Sequence, residues 1–350
     1  MTRQSQAGEG PIKPGIYEQL VTEELNRLLR GLDDDLVSRE PLDRADSHEV
    51  LARHIGLLVT RALRSVPAGS DKPLLEQVRL ANRIVEAIAG AAQDDHLHDL
   101  VAESADVLHA IAARTDTPAS VRFPDRPEIP LSASALLVNG REQPGIGTEV
   151  RRELASADRV DLLCAFVKWH GLRVLEDAIE ALTRRGGRLR VITTTYIGAT
   201  ERRALDRLAE LGAKVRISYE TRTTRLHAKA WLFERDSGNS TAYVGSSNMS
   251  KAALLDGLEW NVRLTGVTQP HLLDTFRATF HQYWDNPSFE PYRPEDEAHR
   301  NRLDEALAME RGGPTDMPIT LTSLDVRPWL TSGSARRAQR SCQSLNPVAL

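Results

Sequence analysis

The apolar positions of this chain follow two different periods, and the change from one to the other divides it. Between residues 14 and 115 they recur at helical spacing. Ile16, Leu20, Val21, Leu25, Leu28 and Leu29 fall on one face at the 3.6-residue period, and Gly31 with Asp33, Asp34 and Asp35 closes that run. Ser47, a favoured N-cap residue type, opens a second helix predicted to reach residue 66, after which Pro67, Ala68, Gly69 and Ser70 make a turn. Residues 72–92 and 96–113 read as two more helices, so residues 1–117 are expected to form a small helical domain. Pro118, Pro124, Pro127 and Pro130 follow in a stretch that cannot be regular helix, and residues 118–135 read as a linker.

Beyond the prolines the period shortens. Residues 159–167 (RVDLLCAFV), 189–195 and 215–219 are short, apolar and β-rich. The amphipathic helices predicted between them, 171–185 and 199–211, end at Gly186–Gly187 and at Gly212. Strands alternating with helices of this length imply βαβ units, hence an α/β fold with a mixed, mainly parallel sheet flanked by helices. The alternation then stops. Residues 226–233 and 241–244 read as strands joined by a hairpin loop at 235–240. A short helix at 249–255, a strand at 259–264 and a closing helix at 271–284 complete a domain expected over 136–290. Residues 291–329 read as a helical or irregular connector. The last stretch, 330–350, lacks periodicity and acidic residues and reads as disordered.

Composition divides the chain in the same place. Residues 1–120 carry 13 basic and 20 acidic side chains and a single aromatic, Tyr17, whereas residues 141–265 carry 21 basic and 16 acidic. The formal net charge of −4 is therefore a sum of unlike parts, and the excess of positive charge lies in the α/β region. The overall 41% apolar and 27% charged residues exclude a collagen-like, disulfide-stapled or wholly disordered chain. No run approaches the roughly 18 apolar residues that a membrane helix needs. Two cysteines, Cys164 and Cys342, and an N-terminus without an apolar signal core fit a reducing, cytoplasmic setting.

Chemistry concentrates between residues 222 and 261. His227 and Lys229 stand at i and i+2 of a predicted strand, so they share a face. Gly245, Ser246, Ser247 and Asn248 follow the next strand and precede a predicted helix, a place where backbone N–H groups and small hydroxyls bind oxyanions. Glu259 and Asn261 share a face of the following strand. An imidazole, a fixed cation, an amide donor and an anion-binding turn are the parts that phosphodiester transfer needs. A carboxylate can hold the second imidazole nitrogen and fix its tautomer. Arg222 and Arg225 flank the motif, and Lys168 and His170 end the first strand, where they read either as a solvated rim or as phosphate-backbone contacts. Thr193, Thr194, Thr195 and Tyr196 end the second strand, where α/β sheets place ligands. Trp231 and Trp260 read as core or interface residues, and Cys164 as an inert core thiol.

The His-x-Lys pair followed by Gly-Ser-x-Asn resembles the phospholipase D superfamily. That resemblance implies a nucleophilic His227 that forms a phosphohistidine. Lys229 and Asn248 are the phosphate ligands it implies, with Ser246, Ser247, Arg225 and Thr194 at the substrate and Glu259 orienting the histidine. It also implies that no cofactor or metal is needed, which agrees with the lack of a Cys/His cluster at zinc spacing. The family has Asp seven residues after the histidine; here Glu234 holds that position, with Asp236 two residues on and Asn261 as a further support. The interval from His227 to Gly245 is also longer than usual, and the hairpin loop absorbs the excess. The family builds one site from two motifs. Of the ten histidines here only His227 has lysine at i+2, which implies a homodimer.

A narrower resemblance rests on the runs PGIYEQLVTEEL (14–25), IPLSASALLVNGR (129–141), SADRVDLLCAFVKW (156–169), RGGRLRVITTTYIGATERRALD (185–206), RLHAKAWLFERDSG (225–238) and AYVGSSNMSKAALLDGLEWNVRLT (242–265). These are similar to the N-terminal module of large bacterial superfamily II helicases, in which a phospholipase-D-like domain precedes a DEAD/DEAH-type motor. LDVRPW (324–329) resembles the segment just before that motor. No G-x-x-x-x-G-K-[ST] motif occurs, so a truncated gene or a stand-alone module is expected. Two function classes follow: a metal-independent phosphodiesterase or nuclease acting on nucleic acid, DNA before RNA, and a catalytically weak DNA-binding and dimerisation module that serves a helicase motor. A lipid phosphodiesterase is the weaker third, since the chain has no lipidation motif and no basic amphipathic helix.

Overall fold

The computed structural model describes residues 13–17, 19–69, 72–92, 99–111, 123–140, 144–223 and 225–312. The tail expected at 330–350, the segment 313–329 and the first part of the proline-rich stretch lie outside the described residues. The chain divides into two compact units, residues 1–111 and 112–350.

The first unit holds α1 (Glu23–Leu29), α2 (Ser47–Arg64) and α3 (Pro73–Ala92). Helix α1 starts later than the apolar spacing suggests because Thr22 caps it, its hydroxyl accepting from the Leu25 N–H at 3.2 Å. The helix predicted over 96–113 is not formed in its described part, 99–111. The Asn82 side chain on α3 donates to the Val101 carbonyl and accepts from the Val101 N–H, at 2.9 and 2.8 Å. Ala105 takes a left-handed φ of 51°. Val107, Leu108 and Ile111 stay exposed, so the segment buries no apolar stripe to offset the cost of helix formation. Among the described residues of this unit only Val78 and Ala89 are buried apolar side chains.

The second unit is built on eight strands, β1 (Ala135–Leu137), β2 (Arg159–Cys164), β3 (Arg188–Thr194), β4 (Lys214–Ser218), β5 (Lys229–Glu234), β6 (Thr241–Gly245), β7 (Asn261–Thr265) and β8 (Phe289–Tyr292). They form one sheet in the order β1-β7-β6-β5-β2-β3-β4-β8. The α/β class is as expected, but five of the seven strand pairs are antiparallel, so the sheet is mixed and mostly antiparallel rather than mainly parallel. Helical crossovers produce parallel pairing only where they occur, between β2, β3 and β4. The short hairpin loop between β5 and β6 permits antiparallel pairing alone, and β7 also pairs antiparallel with β6. Helices α4 (Ile146–Ser156), α5 (Trp169–Arg184) and α6 (Arg202–Glu210) pack on one face through Leu154, Leu175, Ile179, Leu205 and Leu208. Helix α7 (Pro270–Asp285) packs on the other through Leu273, Phe276 and Phe280.

The sheet takes in sequence on both sides of 136–290. Strand β8 extends the β4 edge, and α8 (Glu297–Gly312) buries Leu303 and Leu307 in the same core as α6. The described end of the proline-rich stretch is docked. Glu149 accepts from the Glu128 and Ile129 N–H groups, and Arg263 donates to the Pro130 and Ala133 carbonyls at 2.7 and 2.8 Å.

One buried ionic group fastens the far end of the sheet. Glu153 on α4 is wholly buried and accepts from Arg263 at 3.0 Å, Tyr243 Oη at 2.9 Å, Thr241 Oγ1 at 2.9 Å and Arg235. Removing one partner of such a group leaves the other charge buried without compensation. Glu153→Ala is therefore expected to lower unfolding stability by about 3–5 kcal/mol, read as a drop in the urea midpoint; a loss below ~1 kcal/mol contradicts this reading.

Candidate active site

Antiparallel pairing of β5 and β6 brings the start of one strand beside the end of the other, so residues 227–229 meet residues 245–248. The strand begins at Lys229 and not at 226, which leaves His227 exposed just before it, while Lys229 is buried opposite Cys164 of β2. Lys229 Nζ lies 3.0 Å from His227 Nδ1 and 3.1 Å from Nε2, and donates to the His227 carbonyl at 2.8 Å. Partial desolvation and the adjacent ammonium both hold the imidazole pKa below the ordinary histidine range, which favours the neutral, nucleophilic form. Burial also lowers the Lys229 pKa, with the Cys164 thiol and Glu259 acting against it. Cys164 itself is pushed up to about 11 by burial and stays a neutral thiol, as its apolar strand suggests.

Asn248 is oriented by the main chain. Its Oδ1 accepts from the Phe166 N–H at 3.2 Å, which leaves Nδ2 as a donor with no hydrogen bond among the described residues. The turn before it is stapled twice. Ser246 Oγ donates to Glu259 and accepts from the Trp260 N–H at 3.0 Å, and Ser247 Oγ accepts from Asn261 Nδ2 at 2.8 Å. Gly245 is required, because a Cβ there would stand 2.2 Å from the Trp260 carbonyl oxygen and 2.4 Å from Asn261 Oδ1.

Several expectations change. Glu259 lies in the loop before β7, bonded to Ser246, with no hydrogen bond to His227 among the described residues. No regular helix opens at the 245–248 turn. Met249 instead bridges to Val167, and a five-residue π-helix follows at Ala252–Asp256, so a helix dipole does not supply the anion site. Thr194 is fully buried, its hydroxyl accepting from the Tyr196 N–H at 3.1 Å. Glu234 and Asp236 sit at the far end of β5. Glu234 pairs with Arg159 and with Arg277 at 2.8 Å, and Asp236 pairs with Arg159 at 2.6 Å. The lengthened loop is at that same far end, held by Arg235, and leaves the site end of the hairpin untouched. Trp231 is core and stacks on Phe233, whereas Trp260 is exposed beside the site.

The structure adds an aromatic wall that the spacing of charged residues did not reveal. Phe166 meets the His227 ring edge-on at 5.8 Å between centroids and stacks on Tyr196 at 6.4 Å. The Arg225 guanidinium lies 5.4 Å from the Tyr196 centroid. The signal was the end of the 159–167 run, read there as strand interior.

Residues 150–284 match the family model described as "Cardiolipin synthase, PLD-like domain". No curated protein sequence matches the chain significantly. Among solved structures, the phospholipase D family member Nuc from Salmonella typhimurium is 18% identical, aligned over 46% of this chain and 99% of its own, with a TM-score of 0.36. NucT from Helicobacter pylori is 16% identical over 46% and 99%, also at 0.36. The phosphatidylserine synthase of Haemophilus influenzae Rd KW20 is 14% identical over 51% and 44%, at 0.37.

Because the Lys229 charge contributes to depressing the His227 pKa, Lys229→Met is expected to move the imidazole titration upward, followed by NMR of the ring protons. An unchanged or lower value contradicts the assigned contact.

Proposed function

We propose that this domain is a phosphodiesterase acting on nucleic acid, DNA before RNA, by way of a phosphohistidine at His227. The observation that carries the reading is the meeting of a neutral imidazole, the Lys229 ammonium and the outward Asn248 amide at one end of β5 and β6. The positive balance of residues 141–265 supports a polyanionic substrate. The helicase-like runs support DNA, and a superfamily II motor as a partner.

In this mechanism the phosphate oxygens draw Lys229 Nζ away from the imidazole, and Lys229 and Asn248 Nδ2 donate to the two non-bridging oxygens. An imidazole nitrogen attacks phosphorus, and the N–P bond forms as the P–O bond to the leaving strand breaks. The leaving oxygen takes a proton from the His227 of a second copy, which enters the cycle as an imidazolium while the attacking copy enters neutral. Water then attacks phosphorus and breaks the N–P bond, returning its proton to that second histidine. Glu259, held by Ser246, belongs to the same end of the site and acts electrostatically on Lys229.

The single motif calls for a homodimer with the two sites at its axis. Exposed Leu258, Trp260, Val262 and Val244 beside the 245–248 turn supply an apolar surface for the second copy. Light scattering is expected to give twice the 38.8 kDa chain mass, and Trp260→Glu to shift it toward one; a wild-type monomer at micromolar concentration contradicts the dimer.

A second reading, a binding and dimerisation module with little chemistry, is favoured by Lys229 resting on His227 and Glu259 on Ser246. Cleavage assays separate the two. Single- and double-stranded DNA are expected to be cut in the presence of EDTA. His227→Ala should abolish cutting, and Lys229→Met should slow it by about 10²–10³-fold. DNA binding without cleavage supports the second reading, and hydrolysis of phosphatidylcholine vesicles but not of DNA overturns both.

A further inference from the structure

The last turn of α8 carries a carboxylate, Glu310, at the end of a helix where the dipole disfavours negative charge. Its two oxygens are taken by two separate loops. Oε2 accepts from the Ile197 N–H at 3.1 Å, and Oε1 accepts from the Thr221 hydroxyl at 2.6 Å. The next residue, Arg311, donates to the Gly198 carbonyl at 2.9 Å. The gripped turn is strained. Ile197 sits at a φ of 53°, rare for a β-branched side chain, and Gly198 at 61°. A Cβ on Gly198 would lie 2.8 Å from the Leu307 carbonyl oxygen and 2.5 Å from Arg311 Cγ, so the turn and the helix touch backbone to backbone.

Both loops lead to the active site. Tyr196, the first residue of the turn, stacks on Phe166 and carries the Arg225 guanidinium, and Phe166 meets the His227 ring. The second loop runs from Thr221 to Arg225 and His227, and Glu220 tightens its start by accepting from the Arg222 and Thr223 N–H groups at 2.7 and 2.8 Å. Among the described residues, Arg225 makes no salt bridge that would hold it otherwise.

We propose that Glu310 is a positioning residue for the active site: by tying the 196–198 turn to the loop that begins at Thr221, it holds Tyr196 and Arg225 in place beside His227, so that the end of α8 sets how an extended phosphodiester is gripped. Its kinetic part rests on the phosphodiesterase reading. Its structural part does not.

The test uses the full chain and compares Glu310→Ala with Asp304→Ala, which breaks an exposed contact of α8 to Arg202 (2.9 Å) away from the turn. By hydrogen exchange, Glu310→Ala is expected to speed the amides of 196–200, 220–223 and 225–228, and Asp304→Ala to leave them unchanged. On a single-stranded oligonucleotide, KM should rise about tenfold with kcat little changed. On bis(p-nitrophenyl) phosphate, which reaches His227 without spanning Arg225, both constants should stay within about twofold. In a Tyr196→Ala background Glu310→Ala should add nothing. Acceleration confined to α8, equal losses on both substrates, or full additivity with Tyr196→Ala overturns the proposal. A wild-type protein that cleaves neither substrate sinks the phosphodiesterase reading instead, and the exchange pattern still decides whether Glu310 holds the two loops.

Discussion

The site depends on backbone approaching backbone around the 245–249 turn more closely than any side chain allows. Gly245 lies against the Trp260 carbonyl, and Gly171 at the start of α5 lies so near Met249 that a Cβ would stand 2.2 Å from its oxygen. These approaches permit three hydrogen bonds: Ser246 N–H to the Trp260 carbonyl at 3.0 Å, Lys168 N–H to the Met249 carbonyl at 2.9 Å, and Met249 N–H to Cys164 Sγ at 3.2 Å. Strands β2, β6 and β7 and the first turn of α5 are thereby locked around Asn248. With Asn248 fixed, the ladder between β5 and β6 leaves Lys229 little choice of position, and His227 follows from Lys229.

Charge is distributed along the sheet to match. At the far end Arg235 and Arg263 meet Glu153, and Arg159 and Arg277 meet Glu234. At the site end Lys229 and Arg225 form no salt bridge among the described residues, Glu259 near Lys229 is engaged by a serine hydroxyl, and Arg222 has Glu220 beside it. Fixed cations that face a solvent-accessible imidazole without compensation attract an anion.

Much of this was legible in the residues. The His-x-Lys and Gly-Ser-x-Asn spacings marked the candidate site, and hairpin geometry brings those two ends together whatever the loop does. The βαβ alternation located β2, β3 and β4. The antiparallel hairpin of β5 and β6 was legible from its loop, whereas the mainly parallel character expected of the whole sheet fails, because short apolar runs look alike in either direction. Edge strands β1 and β8 are too short to show a period. The resemblance implies Glu259 as the partner of the histidine, but residue 259 precedes the strand and its carboxylate is bonded to Ser246. The helix expected over 96–113 had the right spacing but no surface to pack on. Contacts such as Glu310 to Ile197 join residues more than a hundred positions apart and leave no local trace.

The account stands on His227 being the atom donor that takes the phosphoryl group. Acid-labile adducts can be trapped by quenching a reaction with end-labelled oligonucleotide in strong base and mapping the modified peptide by mass spectrometry. The expected result is a phosphoramidate on the peptide containing His227, present in the wild-type protein, absent in His227→Ala and formed equally in EDTA. Continued cleavage with no adduct at His227, or an adduct on another residue, contradicts it.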